Sequence, residues 1–455
     1  MRLSLIAAIL LAAGILSWFL WPAGPATVRG SGDLLTVAAT GDSLILRPLP
    51  PSDQSGKGVA GILRSASVAV TNLEENLLDT ARIPRADNPE DLRWPFGTKR
   101  VAQDLRALGF TLISLANNHA IDYGPDGLAQ TEQTLDHAGL LHAGAGEDLA
   151  HAGAPVFVGD THRRIALIAV ATSASAESRA TPPHGEILGR PGVNALRYSP
   201  DVTADAATFA TLRQSPVATT GKNPVDGQLT VAGKTIKKGQ RTAVEMVANA
   251  GDADGILEQI RSARARADIV IVSIHSHEPE NASPEPAEFL KGFARSAIDA
   301  GASLVIGHGP HRLRGIEVYK RGVIFYSLGN FVFDFSRVKS RSEDAFEAGI
   351  DLYRLALGAI PDSEQPPQPA DSRLWWESVI ATAQFDRGVL RSVRLQPIDL
   401  GVDLPLAQRG TPRLAGAVRS SEVLNLLTDL SREFGTSIRI ENGTGVISTP
   451  TQPVP

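Results

Sequence analysis

The stretch TLISLANNHAIDYG, residues 111–124 of this 455-residue chain, joins an apolar run to a polar end. Its apolar part, residues 112–116, predicts a buried β-strand, and that strand runs directly into Asn117, Asn118 and His119. Two amides and an imidazole in this place are typical of a turn, since asparagine tolerates unusual backbone angles, or of a binding site. The choice depends on whether other strands of the chain end in the same way.

Apolar, strand-like segments alternate with amphipathic, helix-like segments along most of the chain. The predicted strands cover residues 34–40, 67–74, 111–119, 163–172, 268–278, 302–311 and 322–331. The predicted helices cover residues 99–108, 127–138, 243–266, 287–300 and 421–434. This alternation predicts an α/β protein.

Three further segments refine this prediction. Residues 173–239 are rich in Pro, Gly, Ser and Thr and predict an insertion over one face, which could act as a lid, with a hairpin at residues 228–239. A second hairpin, at residues 378–400, makes the sheets mixed rather than purely parallel. We expect the Pro-rich break at residues 365–369 not to separate a second domain, because the hairpin beyond it must still join a sheet.

Composition excludes several classes of protein and of site. The chain has no cysteine, so any metal must be held by His, Asp, Glu or Asn. Its formal net charge is −5 and it has no basic block, which argues against binding to nucleic acid.

The N-terminus predicts export. Arg2 precedes residues 3–21, which carry no charge, and as a helix that run would be about 28 Å long, close to the roughly 30 Å hydrocarbon core of a bilayer. We favour a membrane anchor and tether over residues 1–30, with the main domain outside the cytoplasm. The alternative is a cleaved signal peptide, with Ala26 at the cleavage position and a secreted product.

Five predicted strands end in side chains that can bind metal. These strand-end residues are Asp42, Glu74, Asn118 with His119, His275 with His277, and His308 with His311. Singly, Asp42 and Asn118 are typical of turns, and Glu74, beside another Glu, is typical of a solvated surface. Ligands of open α/β sheets bind at the carboxyl ends of the strands, so the shared placement predicts that these side chains meet. Carboxylates, an amide and imidazoles together suit a dinuclear Mn, Fe or Zn centre.

Four motifs in this order resemble the capsule-synthesis CapA family, also called poly-γ-glutamate synthesis proteins, of the calcineurin-like metallophosphoesterase superfamily. They are TGDSLILR (residues 40–47), TNLE (71–74), SLANNHAIDYG (114–124) and IGHGPHRLRGIEVYKRGVIFYSLGNFVFD (306–334). The resemblance covers residues 34–334 and continues through residues 384–400. It implies a four-layer αββα sandwich, two mixed β-sheets face to face with helices outside. We expect one such domain over residues 31–400, completed by residues 401–455.

The resemblance also implies roles for individual residues. The implied metal ligands are Asp42, Glu74 (where the superfamily usually has a bridging Asp), Asn118, His275, His308 and His311. His119 would donate a proton to the leaving group. The chain departs from the superfamily at Leu44, where a metal-binding His is usual, and the sequence HSHE leaves the role of His277 open.

The implied function is an exported, membrane-attached, metal-dependent hydrolase that takes part in synthesis or export of a capsule polymer such as poly-γ-glutamate. Its substrate would be an anionic polymer or a phosphoester, hydrolysed at a phosphoester or amide bond by a metal-activated water, and its partners would be other polymer-synthesis components. Two alternatives remain: a non-catalytic assembly component of a polymer synthase complex, and a general secreted metal-dependent phosphodiesterase.

Overall fold

The structure, a computed structural model, describes residues 27–30, 32, 34–50, 58–82, 96–160, 163–219, 225–334, 370–405 and 408–448. The predicted membrane segment at residues 3–21 and the Pro-rich break at residues 365–369 lie outside these ranges. Within them, no helix combines the length and the apolar character needed to cross a membrane.

Eight α-helices and 25 strands lie in the described ranges. The helices are α1 (Gly58–Ser65), α2 (Lys99–Leu108), α3 (Gly124–His137), α4 (Leu149–Ala152), α5 (Ala206–Arg213), α6 (Ala250–Arg264), α7 (Glu288–Ala300) and α8 (Ala417–Ser431), with 3-10 helices at Ala370–Trp375 and Arg432–Phe434. The first strands are β1 (Leu34–Leu44), β2 (Val68–Leu73), β3 (Asn76–Leu77), β4 (Phe96–Gly97), β5 (Leu112–Ser114), β6 (Leu141–Ala143), β7 (Ala145–Gly146), β8 (Val156–Val158), β9 (Ile165–Ala171), β10 (Gly192–Val193), β11 (Tyr198–Ala204) and β12 (Ala218–Thr219). The remaining strands are β13 (Gln228–Val231), β14 (Lys234–Lys238), β15 (Ala243–Ala248), β16 (Ile269–His275), β17 (Leu304–His308), β18 (Ile316–Tyr319), β19 (Gly322–Phe325), β20 (Asn330–Phe333), β21 (Glu377–Asp386), β22 (Val389–Asp399), β23 (Arg413–Leu414), β24 (Arg439–Glu441) and β25 (Thr444–Ser448).

Two large mixed sheets carry the fold. The ten-stranded sheet has the order β24-β25-β22-β21-β1-β2-β5-β6, with β20 paired to β1 and β23 paired to β22. The six-stranded sheet has the order β18-β19-β17-β16-β9-β8. The predicted α/β class and mixed sheets are confirmed. The predicted hairpin at residues 378–400 is also confirmed, as β21 and β22, and β21 pairs with β1.

The buried strands of the six-stranded sheet contribute to two separate cores. On one face of the sheet, Leu167 and Ile271 share a cluster with Val37 and Val70 of the ten-stranded sheet. On the other face, Ile168 and its neighbours pack with residues of α6 and α7. Alternate strand residues point to opposite faces, so β9 and β16 are apolar along most of their length, as expected of strands covered on both sides. These contacts are compatible with an α/β sandwich.

The segment at residues 173–239 contributes most of a third sheet, whose five strands have the order β12-β13-β14-β11-β15. The predicted hairpin at residues 228–239 is confirmed as β13 and β14. Whether the segment acts as a lid stays a prediction.

The predicted helix at residues 243–266 is wrong over its first six residues. These form β15, which pairs antiparallel with β11 from Ala243 to Ala248. The helix α6 begins only at Ala250, because the Asn249 side chain accepts a hydrogen bond from the backbone N–H of Asp252 (3.0 Å) and caps it. Tertiary pairing therefore overrides the helix that the local sequence predicts over residues 243–248.

The predicted single strand at residues 322–331 is two strands in different sheets. β19 belongs to the six-stranded sheet, and β20 pairs with β1 in the ten-stranded sheet. Between them Gly329 has φ +69°, a left-handed conformation that suits glycine, and the chain turns there. This turn places Asn330 beside Asp42 in the sheet.

Candidate metal centre

Strand ends from both large sheets meet at one place. Glu74 follows β2 directly, whereas His275 and His308 are the last residues of β16 and β17. Asp42 differs from the prediction, because β1 continues two residues beyond it after a register irregularity between Ala39 and Asp42. Asn118 also differs, since β5 already ends at Ser114, four residues earlier.

Two glycines allow the sheets to approach this closely. A Cβ on Gly41 would lie 1.8 Å from the carbonyl oxygen of Gly329. Gly309 has φ +110°, and a Cβ there would lie 2.9 Å from the backbone of Ser276. The backbone N–H of Gly309 donates to Asp42 Oδ2 (2.9 Å), which joins the end of β17 to β1. Any larger residue at either position would push the strand ends apart.

Side chains at these strand ends form three overlapping groups that could hold a metal ion. The groups are Asp42 with His275 and His308, Glu74 with His275 and His277, and Asp42 with Glu74 and His311. Within each group the candidate ligand atoms lie within 4.8 Å of one another. Each pair of groups shares one residue, so ions held by different groups would be neighbours.

Glu74 gives the clearest sign that a cation fits here. Its side chain is buried, and both carboxylate oxygens are without a hydrogen-bond partner among the described residues. Burial raises the pKa of the Glu74 carboxyl well above its ordinary value, and the nearby carboxylates of Asp42, Asp122 and Glu75 raise it further. A buried carboxylate without partners is costly, and a bound cation would supply what the oxygens lack.

The histidines of the groups are suited to bind metal because they are held neutral. Burial lowers the pKa of His308 and of His311 to about 4, and it lowers the pKa of His275 well below its ordinary value. Only the neutral imidazole has a free nitrogen lone pair for a metal. In His308, Nδ1 is buried and has no hydrogen-bond partner within the described ranges.

The stretch at residues 111–124 places Asn118 and His119 at the edge of the three groups. Asn118 Oδ1 lies 2.8 Å from His275 Nε2 and 3.4 Å from His277 Nε2, so the amide oxygen faces the candidate ligands. His119 Nδ1 lies 2.8 Å from Asp122 Oδ2. The other ring nitrogen, Nε2, lies 3.1 Å from Asn118 Nδ2. The geometry thus brings all seven strand-end residues with an implied role into one neighbourhood.

His277, whose role the sequence left open, lies inside this neighbourhood. Its Nδ1 is 2.7 Å from Asn281 Oδ1, and its Nε2 is 3.0 Å from His275 Nε2. The contact with Asn281 therefore leaves Nε2 to face the candidate ligands. The spacing of His275 and His277 by two residues was the signal in the sequence.

Two asparagines, Asn72 and Asn117, support the site, although no role in it was predicted for them. Asn72 donates from Nδ2 to Asp42 Oδ1 (2.8 Å) and accepts from Asn117 Nδ2 (3.2 Å). Asn117 also donates to the carbonyl oxygen of Leu73 (2.7 Å) and accepts from the backbone N–H of His119 (3.0 Å). Both lie in the motifs that drew attention to Glu74 and Asn118, so their position beside those residues could have identified them.

The remaining histidines lie apart from the three groups where the structure describes them. His142 pairs with Asp136 (3.3 Å) and His151 pairs with Asp148 (2.7 Å), and His162 lies outside the described ranges. Glu74 and Glu75 are both buried, so the alternative that Glu74 is a solvated surface charge is wrong.

Comparison with known proteins gives a consistent family. The model of the family described as bacterial capsule synthesis protein PGA_cap matches residues 32–335. The uncharacterized protein y4sH of Sinorhizobium fredii is 36% identical over 91% of this chain and 93% of its own length. The capsule biosynthesis protein CapA of Bacillus anthracis is 29% identical over 82% of this chain and 78% of its own. The PGA biosynthesis protein CapA of Bacillus subtilis is 27% identical over 68% and 66%. The chain therefore belongs to the PGA_cap family of bacterial capsule synthesis proteins, within the metallophosphoesterase-like superfamily.

Proposed function

We propose that this protein is an exported, membrane-attached, metal-dependent hydrolase that takes part in synthesis or export of a capsule polymer such as poly-γ-glutamate. The names of the Bacillus relatives support the role in capsule polymer synthesis. The uncharged run after Arg2 supports the membrane attachment, with the main domain outside the cytoplasm. The contact of both large sheets through one core supports a four-layer αββα arrangement.

The observation that carries the hydrolase proposal is the set of three ligand groups around Glu74, His275 and Asp42. Shared residues favour two neighbouring divalent ions, and ligands of oxygen and imidazole nitrogen suit Mn, Fe or Zn. Asp42, Glu74, Asn118, His275, His308 and His311 would hold the ions, and His277 is placed to join them. Ions bound there would polarise the bond to be cleaved and lower the pKa of a water toward about 7.

The chain's own groups would carry the proton. His119 Nδ1 donates to Asp122, and Nε2 accepts from Asn118 Nδ2, so Nε2 would give a proton to a leaving group from the charged imidazolium. His119 is only partly buried, with 13% of its side chain exposed, so a substrate can reach it. A carboxylate behind a histidine also stabilises the charged imidazolium during the transfer.

The test is hydrolysis by the purified full-length chain with added Mn²⁺. Poly-γ-glutamate and a chromogenic phosphodiester serve as substrates, and His119→Ala is compared with His142→Ala, which alters a histidine outside the site. We expect cleavage of at least one substrate, lost in His119→Ala and kept in His142→Ala. Cleavage of the phosphodiester alone, with no effect of gene deletion on capsule, would indicate a general phosphodiesterase. Metal binding without cleavage of either substrate would indicate an assembly component instead.

A further inference from the structure

Asn330 is a buried residue at the start of β20 and lies beside Asp42 in the ten-stranded sheet. It belongs to the motif GNF, and neither its spacing nor its position in the sequence marked it as part of the site. Its side chain contacts His311 and the backbone of Trp375, so it connects a candidate ligand to a segment that follows much later in the chain.

The orientation of the Asn330 amide is fixed by two carbonyl groups. Its Nδ2 donates to the carbonyl oxygen of Trp375 (2.9 Å) and to that of His311 (3.3 Å). A flipped amide would place its oxygen against both carbonyl oxygens, which can only accept. Oδ1 must therefore be the atom that faces His311 Nδ1, at 3.0 Å.

This orientation determines the tautomer of His311. Because Asn330 Oδ1 only accepts, His311 Nδ1 must carry the hydrogen, and the lone pair of the neutral ring lies on Nε2. Nε2 is the atom on the side of Glu74, 3.8 Å from Oε1. Nδ1 lies equally near another candidate ligand, 3.8 Å from Asp42 Oδ2, but it carries the hydrogen, so Nε2 is the nitrogen of His311 that can bind a metal.

Asn330 also stabilises an unfavourable backbone conformation at His311. His311 has φ +57°, in the left-handed region that residues other than glycine rarely adopt. The hydrogen bond from Asn330 to its carbonyl oxygen holds the backbone, and the bond to Nδ1 holds the ring. Strain of this kind persists only where surrounding contacts impose it.

We propose that Asn330 is a positioning residue that fixes the tautomer and orientation of His311 and thereby sets the metal affinity of the site. The inference rests on the proposed function, because it requires His311 to bind metal through Nε2. Groups that orient a metal-binding histidine in this way commonly change metal affinity about 10–100-fold when they are removed.

The affinity test is a double-mutant cycle on the full-length chain. Mn²⁺ and Zn²⁺ affinities are measured by competition with a chromogenic chelator for wild type, Asn330→Ala, His311→Ala and the double variant. We expect Asn330→Ala to weaken binding about 10–100-fold and to cause no further loss when His311 is already Ala. Asn194→Ala is the matched control, because Asn194 is likewise buried and hydrogen-bonded but contacts Ala169 and Gln259 instead of a candidate ligand. It should leave metal affinity unchanged.

A second measurement is made on the metal-free wild-type chain, with His311→Ala used only to assign the His311 signals. With ¹⁵N-labelled histidine, the NMR pattern of His311 should show hydrogen on Nδ1, and hydrogen on Nε2 would overturn the inference even if Asn330→Ala did not fold. Unchanged affinity in Asn330→Ala, or an equal loss in the His311→Ala background, would overturn it while leaving the proposed function intact. A wild-type chain that binds neither metal would refute both.

Discussion

Replacing Glu74 with Gln should stabilise the metal-free chain and weaken its metal binding at the same time. Glu74 is buried, and neither carboxylate oxygen has a hydrogen-bond partner among the described residues. Gln has nearly the same shape but cannot ionise, so the substitution removes the ionisable group without opening a cavity. A carboxylate with only a structural role would not produce opposite effects on stability and on metal binding.

The effect on stability follows from the direction of the pKa shift. Burial, and then the charges of Asp42, Asp122 and Glu75, raise the pKa of Glu74 well above 4.5 in the folded chain. At a pH between the pKa of Glu74 in the unfolded chain and its pKa in the folded chain, Glu74 is protonated in the folded chain and ionised in the unfolded chain. Stability therefore falls as pH rises through this window, by up to about 1.4 kcal/mol per pH unit for one group. The Gln variant should lack this contribution, so its advantage over wild type should grow with pH.

The effect on metal follows from the ligand groups. Glu74 belongs to two of the three, so its loss removes a charged oxygen ligand from most arrangements that could hold an ion. Loss of a residue that only hydrogen-bonds a metal ligand typically lowers metal affinity about 10–100-fold. We expect the Mn²⁺ affinity of Glu74→Gln to fall by at least as much.

The assay is chemical denaturation of metal-free protein from pH 5 to pH 8, together with chelator competition for Mn²⁺. Glu75→Gln is the matched control. Its carboxyl is also buried and its pKa is also raised by burial, but Glu75 Oε2 accepts from the backbone N–H of Ile45 (2.9 Å) and the residue is in none of the three groups. Its metal affinity should change far less than that of Glu74→Gln, because Glu75 acts on the groups only through its charge near Glu74. Unchanged metal affinity in Glu74→Gln, or a variant less stable than wild type throughout this range, would show that Glu74 is not an unpaired carboxylate kept for a metal.

Three further predictions concern the buried histidines, the separate roles of Asn118 and His119, and export. Burial lowers the pKa of His308 and His311 from 6.5 to about 4. The metal-free chain should therefore lose stability as pH falls from 6.5 to 4, by about 3 kcal/mol for each histidine. Denaturation of His308→Gln should show a smaller change of unfolding free energy with pH over this range. His119→Ala should keep its bound metal but lose turnover about 10²–10⁴-fold, whereas Asn118→Ala should lose metal. Metal loss in His119→Ala would contradict the assignment of proton transfer to His119 and of metal binding to Asn118. The full-length chain should partition with membranes and be accessible to protease added to intact cells, and its recovery in the cytosolic fraction would argue against export.

Much of the site could be predicted because its ligands follow apolar strands in the sequence. Apolar runs ending at Glu74, His275 and His308 predict both a buried strand and a polar side chain at its carboxyl end. Where such strands are parallel, their ends lie together, so the convergence could be expected without the structure. Asn118 was found through the same rule, although its strand ends earlier than predicted.

The supporting residues could not be predicted because they depend on contacts between distant segments. Asn330 reaches Asp42 only because the chain changes sheets at Gly329, and local sequence does not show that change. The strand at residues 243–248 likewise forms because β11 is available to pair with it, although the same residues are compatible with a helix. Pairing between strands far apart in the sequence determines both the position of Asn330 and the strand at residues 243–248. Such pairing cannot be read from the local sequence of either segment.

Metal content per chain shows directly whether the converging strand ends bind a metal. We would measure it by mass spectrometry on the full-length wild type, on Asp42→Ala, and on the control Asp136→Ala, which alters an exposed pair with His142 outside the site. We expect a divalent metal in wild type and in Asp136→Ala, and a clear loss in Asp42→Ala with the folded state retained. No metal in wild type after exposure to Mn²⁺ or Zn²⁺, or equal metal in Asp42→Ala, would contradict this expectation.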